Sequence, residues 1–112
     1  MSITRILTRK INDGEEVETE EIREWINKQP ESQKLEDDKE TIHVRFTMES
    51  IIGWYQGKIR RVGGFVRALL QNSFIDASCR ADSTNKKVLP LYAKFLHKIL
   101  PGDWSDKAEA QF

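Results

Sequence analysis

Residues 83–100, STNKKVLPLYAKFLHKIL, decide the fold class. Val88, Leu89, Tyr92, Phe95, Leu96 and Ile99 recur at helical spacing and make one apolar face, with Lys87, Lys94 and Lys98 on another. Asp82 or Ser83 is the predicted N-cap, and Pro101-Gly102 is the stop. Pro90 falls inside this pattern. A proline in a helix interior costs about 3 kcal/mol. The helix therefore either starts near Leu89 or kinks there.

Upstream, Thr47 is a candidate N-cap for MESIIGWYQ, in which Met48, Ile51, Ile52 and Tyr55 share a face and Gly57 closes the turn. A short helix follows from Phe65, ended by Asn72, and Ser73 starts one or two further turns over FIDASCRA. In the first third, Asn12-Asp13-Gly14 is a turn signal. Asp13 and Thr19 are alternative helix starts, Ile22, Trp25 and Ile26 form a narrow apolar stripe, and Pro30 ends it. Residues 29–41 hold one large apolar residue, Leu35, and read as a solvated, mobile linker. In TIHVRF, 41–46, Ile42, Val44 and Phe46 alternate with polar residues as in a half-buried strand. Its available partner is residues 3–8, which fit a helix as well as a strand. The expected architecture is mainly α: a single small helical domain of four to five helices, with a short two-stranded β element from residues 3–8 and 41–46 as an option. Residues 1–40 read as an acidic segment with one helix and a mobile linker, 41–105 as the helical core, and 106–112 as a frayed tail.

At 112 residues and 13.1 kDa the chain is one domain's worth, which excludes a two-domain enzyme or a TIM barrel. No apolar run approaches the ~20 residues of a membrane helix. No apolar leader follows the first Met, and Cys79 is the sole cysteine, so neither a disulfide framework nor a cysteine zinc site is available. A cytoplasmic protein is expected, without membrane contact. The formal net charge of zero hides two opposite halves. Residues 1–40 carry seven Lys/Arg against twelve Asp/Glu, a net of −5, and residues 41–112 carry +5. Within 58–98 there are nine basic residues and two acids, Asp76 and Asp82. Such asymmetry points to an anionic partner for the basic part, or to pairing of the halves within the chain.

The stretch 47–105 resembles a group of small proteins encoded by bacteriophages and prophages. Their pattern has a Gly-Gly-Phe helix start, an Ala-Val-Leu-x-Asn-Asp-Leu turn, an Ala, an Arg-Ala-Asp-x-x-Asn motif, a long helix, and a Pro followed by Trp-Gly-Ser. The matching residues are Gly63, Gly64, Phe65, Ala68, Leu70, Asn72, Ala77, Arg80, Ala81, Asp82, Asn85, Leu89, Pro101 and Trp104, with Glu49, Ser50, Ile51, Trp54 and Tyr55 similar upstream. The chain departs from the pattern at Ser73, His97 and Ser105, where Asp, Asn and Gly are usual. The resemblance implies a phage origin, hence a host-cell cytoplasmic location, and an accessory role in host takeover, counter-defence or replication.

Three constellations could bind a ligand. In Arg60-Arg61-x-Gly63-Gly64-x-x-Arg67, glycines allow close backbone approach and arginines can make bidentate, charge-assisted contacts to phosphate. The same layout also makes an ordinary helical corner, and the Lys-Ser/Thr of a P-loop is missing. In Arg80-Ala81-Asp82-x-x-Asn85, Asp82 and Asn85 could hydrogen-bond a base with Arg80 on a phosphate, although a helix cap explains the pair equally. Asn72 joins this candidate set. The stripe Lys86, Lys87, Lys94 and Lys98 could follow a phosphate backbone or simply solvate a helix. A helix-turn-helix reading of 65–99, and with it a DNA-binding regulator, is weak because the turn lacks glycine and Pro90 lies in the second helix. Catalytic sets are poorly supported. Ser73 or Ser78 with His97 and Asp76 lacks a nucleophile elbow, and Cys79 with His97 is a dyad on paper only. His43 and His97 make no metal spacing. No cofactor is expected. Trp25, Trp54 and Trp104 read as core anchors. The expected function is a non-catalytic binding protein that engages an anionic ligand, a nucleotide signal or a nucleic acid, through Arg60, Arg61, Gly63, Gly64, Arg67, Asn72, Arg80, Asp82 and Asn85. The alternative is an inhibitor of a host protein that presents its acidic arm, 13–40, as a phosphate mimic. Self-association is a further open expectation for so small a core.

Overall fold

The computed structural model describes residues 2–112. Among the described residues there are eight α-helices: α1 (Ile3–Asn12), α2 (Thr19–Asn27), α3 (Asp38–Tyr55), α4 (Gly64–Leu70), α5 (Phe74–Arg80), α6 (Ser83–Lys87), α7 (Leu89–Lys94) and α8 (Trp104–Gln111). A 3₁₀ turn (Pro30–Lys34) joins α2 to α3, and α7 runs into a π turn (Phe95–Ile99). No strand occurs among the described residues. The chain measures 36 × 35 × 19 Å.

The optional β element is therefore corrected: both of its segments are helical. Residues 41–46 lie in α3, which starts at Asp38 rather than after Thr47. Asp37 caps it by accepting from the Glu40 N–H at 3.0 Å, and the Glu40 carboxylate accepts from the Glu36 N–H at 2.7 Å. Acids in the first turn also suit the helix dipole. From there the 3.6 period outweighs the alternation of TIHVRF. Val44, Met48, Ile51, Ile52 and Tyr55 are buried, whereas Ile42 and Phe46 point to solvent. Residues 3–8 lie in α1, where Ser2 caps the helix and Ile3, Leu7 and Ile11 are buried at i, i+4, i+8.

Pro90 breaks the pattern of 83–100 into two helices. Asp82 caps the short α6, Val88 leaves helical geometry at φ −123° and ψ 29°, and Pro90 sits in the first turn of α7, where its missing N–H costs nothing. The helix count exceeds the expected four to five for this reason and because α1 and α8 are also helices. Gly14 (φ 76°) follows the end of α1, Gly57 (φ 78°) closes α3 and Asn72 (φ 58°) closes α4, the three positions among the described residues where the chain turns left-handed.

Residue 40 is not a boundary, because α3 runs through it and the core draws on both sides. Trp25 is 2% exposed and meets Phe95 edge-on, with ring centroids 5.6 Å apart. Leu7, Ile11, Ile22 and Ile26 pack in the same cluster as Met48, Leu91, Tyr92 and Ile99. Nor are residues 106–112 frayed. They form most of α8, and Phe112 stacks on Trp54 at 6.2 Å.

The two charged halves pair within the chain. Lys87 bridges Glu36 (3.3 Å) and Glu40 (3.0 Å), and Lys94 reaches Glu31 (2.9 Å), while within the acidic half Lys10 reaches Glu21 (2.9 Å). The expected linker 29–41 is thereby tied to the basic helices. These contacts hold three carboxyls below their ordinary value near 4.5. For Glu31 the cause is first the Lys94 hydrogen bond; for Glu40 it is the Glu36 backbone N–H, then Lys87. For Glu21, burial pushes the group up but is outweighed by Lys10 and the Glu18 N–H. A carboxyl with a depressed folded-state pKa stabilises the fold above its unfolded pKa, and that stabilisation disappears as pH falls through the folded value. The melting temperature is expected to be flat near neutrality and to fall below about pH 4.5. The triple variant E21Q/E31Q/E40Q should show a shallower acid slope in thermal melts. An unchanged slope would remove these pairs as its source.

Candidate functional site

Two motifs far apart in sequence meet at the junction of α4 and α5. Gly64 opens α4, Arg67 lies one turn on, and Arg80 ends α5. The three line a polar cleft of about 410 Å³ with Val62, Ala68, Gln71 and Asp76. Arg80 lies directly over Gly64. A methyl group at residue 64 would stand 3.0 Å from Arg80 Nη1 and 3.4 Å from its Cδ. The second glycine of the Gly-Gly pair thus leaves the space that the arginine of Arg-Ala-Asp occupies. The first glycine has no such task, since a methyl at Gly63 would meet nothing within 4 Å.

Arg67 is positioned by the C-terminus. Its guanidinium lies 5.2 Å from the Phe112 ring centroid, and Phe112 in turn stacks on Trp54. Gln111 ties the neighbouring loop to α8: its Oε1 accepts from Trp54 Nε1 and its Nε2 donates to the Arg60 carbonyl, both at 2.8 Å. Gln111 and Phe112 are supporting residues that the sequence reading missed. An aromatic residue in an otherwise polar tail was the one available signal. Among the described residues, neither Arg67 nor Arg80 makes an ion pair, nor do Arg60 and Arg61.

The remaining sequence-derived candidates lie elsewhere. Arg60 and Arg61 are exposed on the loop before Val62 and do not line the cleft. Asn72 is exposed at the α4–α5 corner, where its left-handed backbone makes the turn. Asp82 caps α6 by accepting from the Asn85 N–H at 2.8 Å, and its other oxygen meets His43 Nε2 at 2.6 Å. Asn85 is buried, and its Oδ1 accepts from the Tyr92 hydroxyl at 2.5 Å. Burial pushes that hydroxyl well above its usual pKa, so it stays a donor at any working pH. Asp82 and Asn85 are therefore occupied in joining α3, α6 and α7. Tyr92→Phe, which leaves the buried Asn85 oxygen unpartnered, is expected to cost about 1–3 kcal/mol of unfolding free energy in urea denaturation. It should leave ligand affinity unchanged; a loss of affinity without loss of stability would return Asn85 to the site.

Ser73 and His97 border an apolar groove of about 660 Å³ between α4–α5 and α7–α8, whereas Asp76 faces the polar cleft and Cys79 lines neither. The lysine stripe is divided: Lys87 and Lys94 are held by glutamates, while Lys86 and Lys98 make no ion pair among the described residues. No group of three His, Cys, Asp or Glu able to hold a metal occurs among the described residues, and no helix there is long and apolar enough to cross a membrane. Compared with family models, curated proteins and solved structures, the chain matches none.

Proposed function

We propose that this chain is a non-catalytic binding protein that holds a small phosphate-bearing nucleotide in the cleft of Gly64, Arg67 and Arg80. The observation that supports this best is the pair of unbridged guanidiniums converging on one polar cleft. Guanidiniums recognise phosphate bidentately, and charge-assisted bonds of this kind are about twice as strong as neutral ones. Gln71 and Asp76 on the same walls offer acceptors to base or sugar donors. A ligand with both phosphate and N–H groups therefore fits better than inorganic phosphate. A cleft of about 410 Å³ suits a mononucleotide or one half of a dinucleotide. A nucleic-acid strand needs a longer basic track, and Lys87 and Lys94, which would extend it, are neutralised by Glu31, Glu36 and Glu40. Those same pairs weigh against an acidic arm held out for a basic host surface. With the resemblance to phage proteins, the role that follows is withdrawal of a host nucleotide signal.

Native mass spectrometry of the protein purified from bacterial cells tests this. Extra mass equal to a mono- or dinucleotide is the expected result, and calorimetric titration with adenine and guanine nucleotides then gives the affinity. Gly64→Ala should displace the Arg80 head and weaken binding roughly 5–10-fold, about 1–1.4 kcal/mol. It should leave the melting temperature nearly unchanged, because Gly64 is the first residue of α4 and the flexible Arg80 head can move off the added methyl. Gly63→Ala, with open space around it, should change neither. No retained mass and no nucleotide affinity would sink the proposal.

A further inference from the structure

We infer that the apolar groove between α4–α5 and α7–α8 is a twofold interface, in which Phe74 and Ile75 of one copy of the chain enter the groove of a second copy. Ala77 is the one buried residue of α5, while Phe74 and Ile75 in its first turn are 71% and 76% exposed. They are the most exposed large apolar residues among those described. Beside them lies the groove of about 660 Å³, walled by Leu69, Leu89, Pro90, Leu96 and Trp104.

Three observations select a second copy as the occupant. The first is charge. No Asp, Glu, Lys or Arg lines the groove, in a chain in which 32% of residues are charged. Depletion of charge marks the centre of protein interfaces. On a twofold axis itself a charged group would face its own copy, so a charge-free centre suits one. A zero net charge adds no long-range repulsion between copies. The second is adjacency. Phe74 both lines the groove and borders the projecting Ile75, so plug and receptor are neighbours on one surface, as a self-complementary interface needs. The third is area. A phenylalanine and an isoleucine exposed to this degree offer roughly 300 Å². Covering the smaller area of groove wall, roughly 200 Å², gives about 500 Å² per copy and about 1,000 Å² in all, the size at which specific interfaces begin. An interface of that size belongs to the weak, reversible class. The groove shares no lining residue with the arginine cleft, so this inference stands apart from the nucleotide reading.

Sedimentation equilibrium of the full chain tests it, from low micromolar to near-millimolar loading. The average mass is expected to climb from 13.1 kDa toward twice that value. The double variant F74S/I75S should stay at 13.1 kDa throughout, with unchanged circular dichroism because both residues are exposed. Ala93→Glu, which puts like charges into the groove from its opposite wall, should also stay monomeric. It provides a second reading should the double variant fold poorly. A nitroxide on Cys79, one turn beyond Ile75 on α5, should show dipolar coupling between copies that vanishes in either variant. A wild-type chain that remains 13.1 kDa at the highest loading would overturn the inference and give the face to a different protein. Association equally strong in both variants would overturn it too, by moving the interface elsewhere.

Discussion

Charge reversal of both cleft arginines, R67E with R80E, is expected to abolish nucleotide binding in calorimetric titration. Each guanidinium that meets a phosphate makes charge-assisted bonds whose loss costs about 1.5–3 kcal/mol. Losing two removes about 3–6 kcal/mol, a 10²- to 10⁴-fold rise in Kd, before the repulsion from the new carboxylates is counted. The fold should tolerate the change. Arg67 is exposed and gives up one contact with the Phe112 ring, worth about 0.5–1 kcal/mol at such a site. Arg80 is exposed and makes no ion pair among the described residues. R60E with R61E is the informative contrast. Those residues sit on the adjoining loop outside the cleft, so their effect should be a few-fold and should fade at high salt. Equal effects from the two pairs would show a diffuse basic surface in place of a cleft. Loss confined to R60E/R61E would move the site to the loop.

The part of this site that was legible in the sequence is instructive. Gly64, Arg67 and Arg80 could be named as residue types suited to phosphate, because glycine and arginine carry that chemistry wherever they stand. Their meeting could not be read, since it depends on Arg80 filling the space that Gly64 leaves, a contact across 16 residues. Asp82 and Asn85 show the reverse. The spacing of a cap was legible, and so was the competing functional reading. What separated them was Tyr92, whose hydroxyl takes up the Asn85 oxygen. For the fold, the amphipathic stripes of 19–26 and 88–99 were plain because their apolar residues follow one period. TIHVRF misled because Ile42 and Phe46 are apolar yet face solvent, so they imitated a strand's alternation. The linker at 29–41 misled for a different reason. Its order comes from ion pairs to Lys87 and Lys94, and charge pairing over such distances leaves no local pattern.

The N-terminal 40 residues are the place where this distinction has the largest consequence. Deleting them would be the natural test of an acidic arm, and the expected result is a chain that no longer folds. The deletion removes Ile3, Leu7, Ile11, Ile22, Trp25 and Ile26, all buried, together with the Asp37 cap and the Glu40 clasp on Lys87. Six buried side chains at about 1.5–3 kcal/mol each amount to about 9–18 kcal/mol. A domain of this length is stable by only about 6–17 kcal/mol in total. Circular dichroism of the 41–112 fragment should therefore show no cooperative melt. A single substitution tests the same point without truncation. Trp25→Ala empties the space against Phe95 and should cost about 3–5 kcal/mol. At roughly 4–8 °C per kcal/mol, the melting temperature should fall by about 12 °C or more. If Trp25→Ala melted within a few degrees of the parent chain, residues 1–40 would be an appendage after all, and the acidic-arm reading would regain its footing. If it collapses as expected, the acidic face must be tested in place. Neutralising Glu15, Glu16 and Glu20, which take part in none of the ion pairs, alters the charge and leaves the core whole.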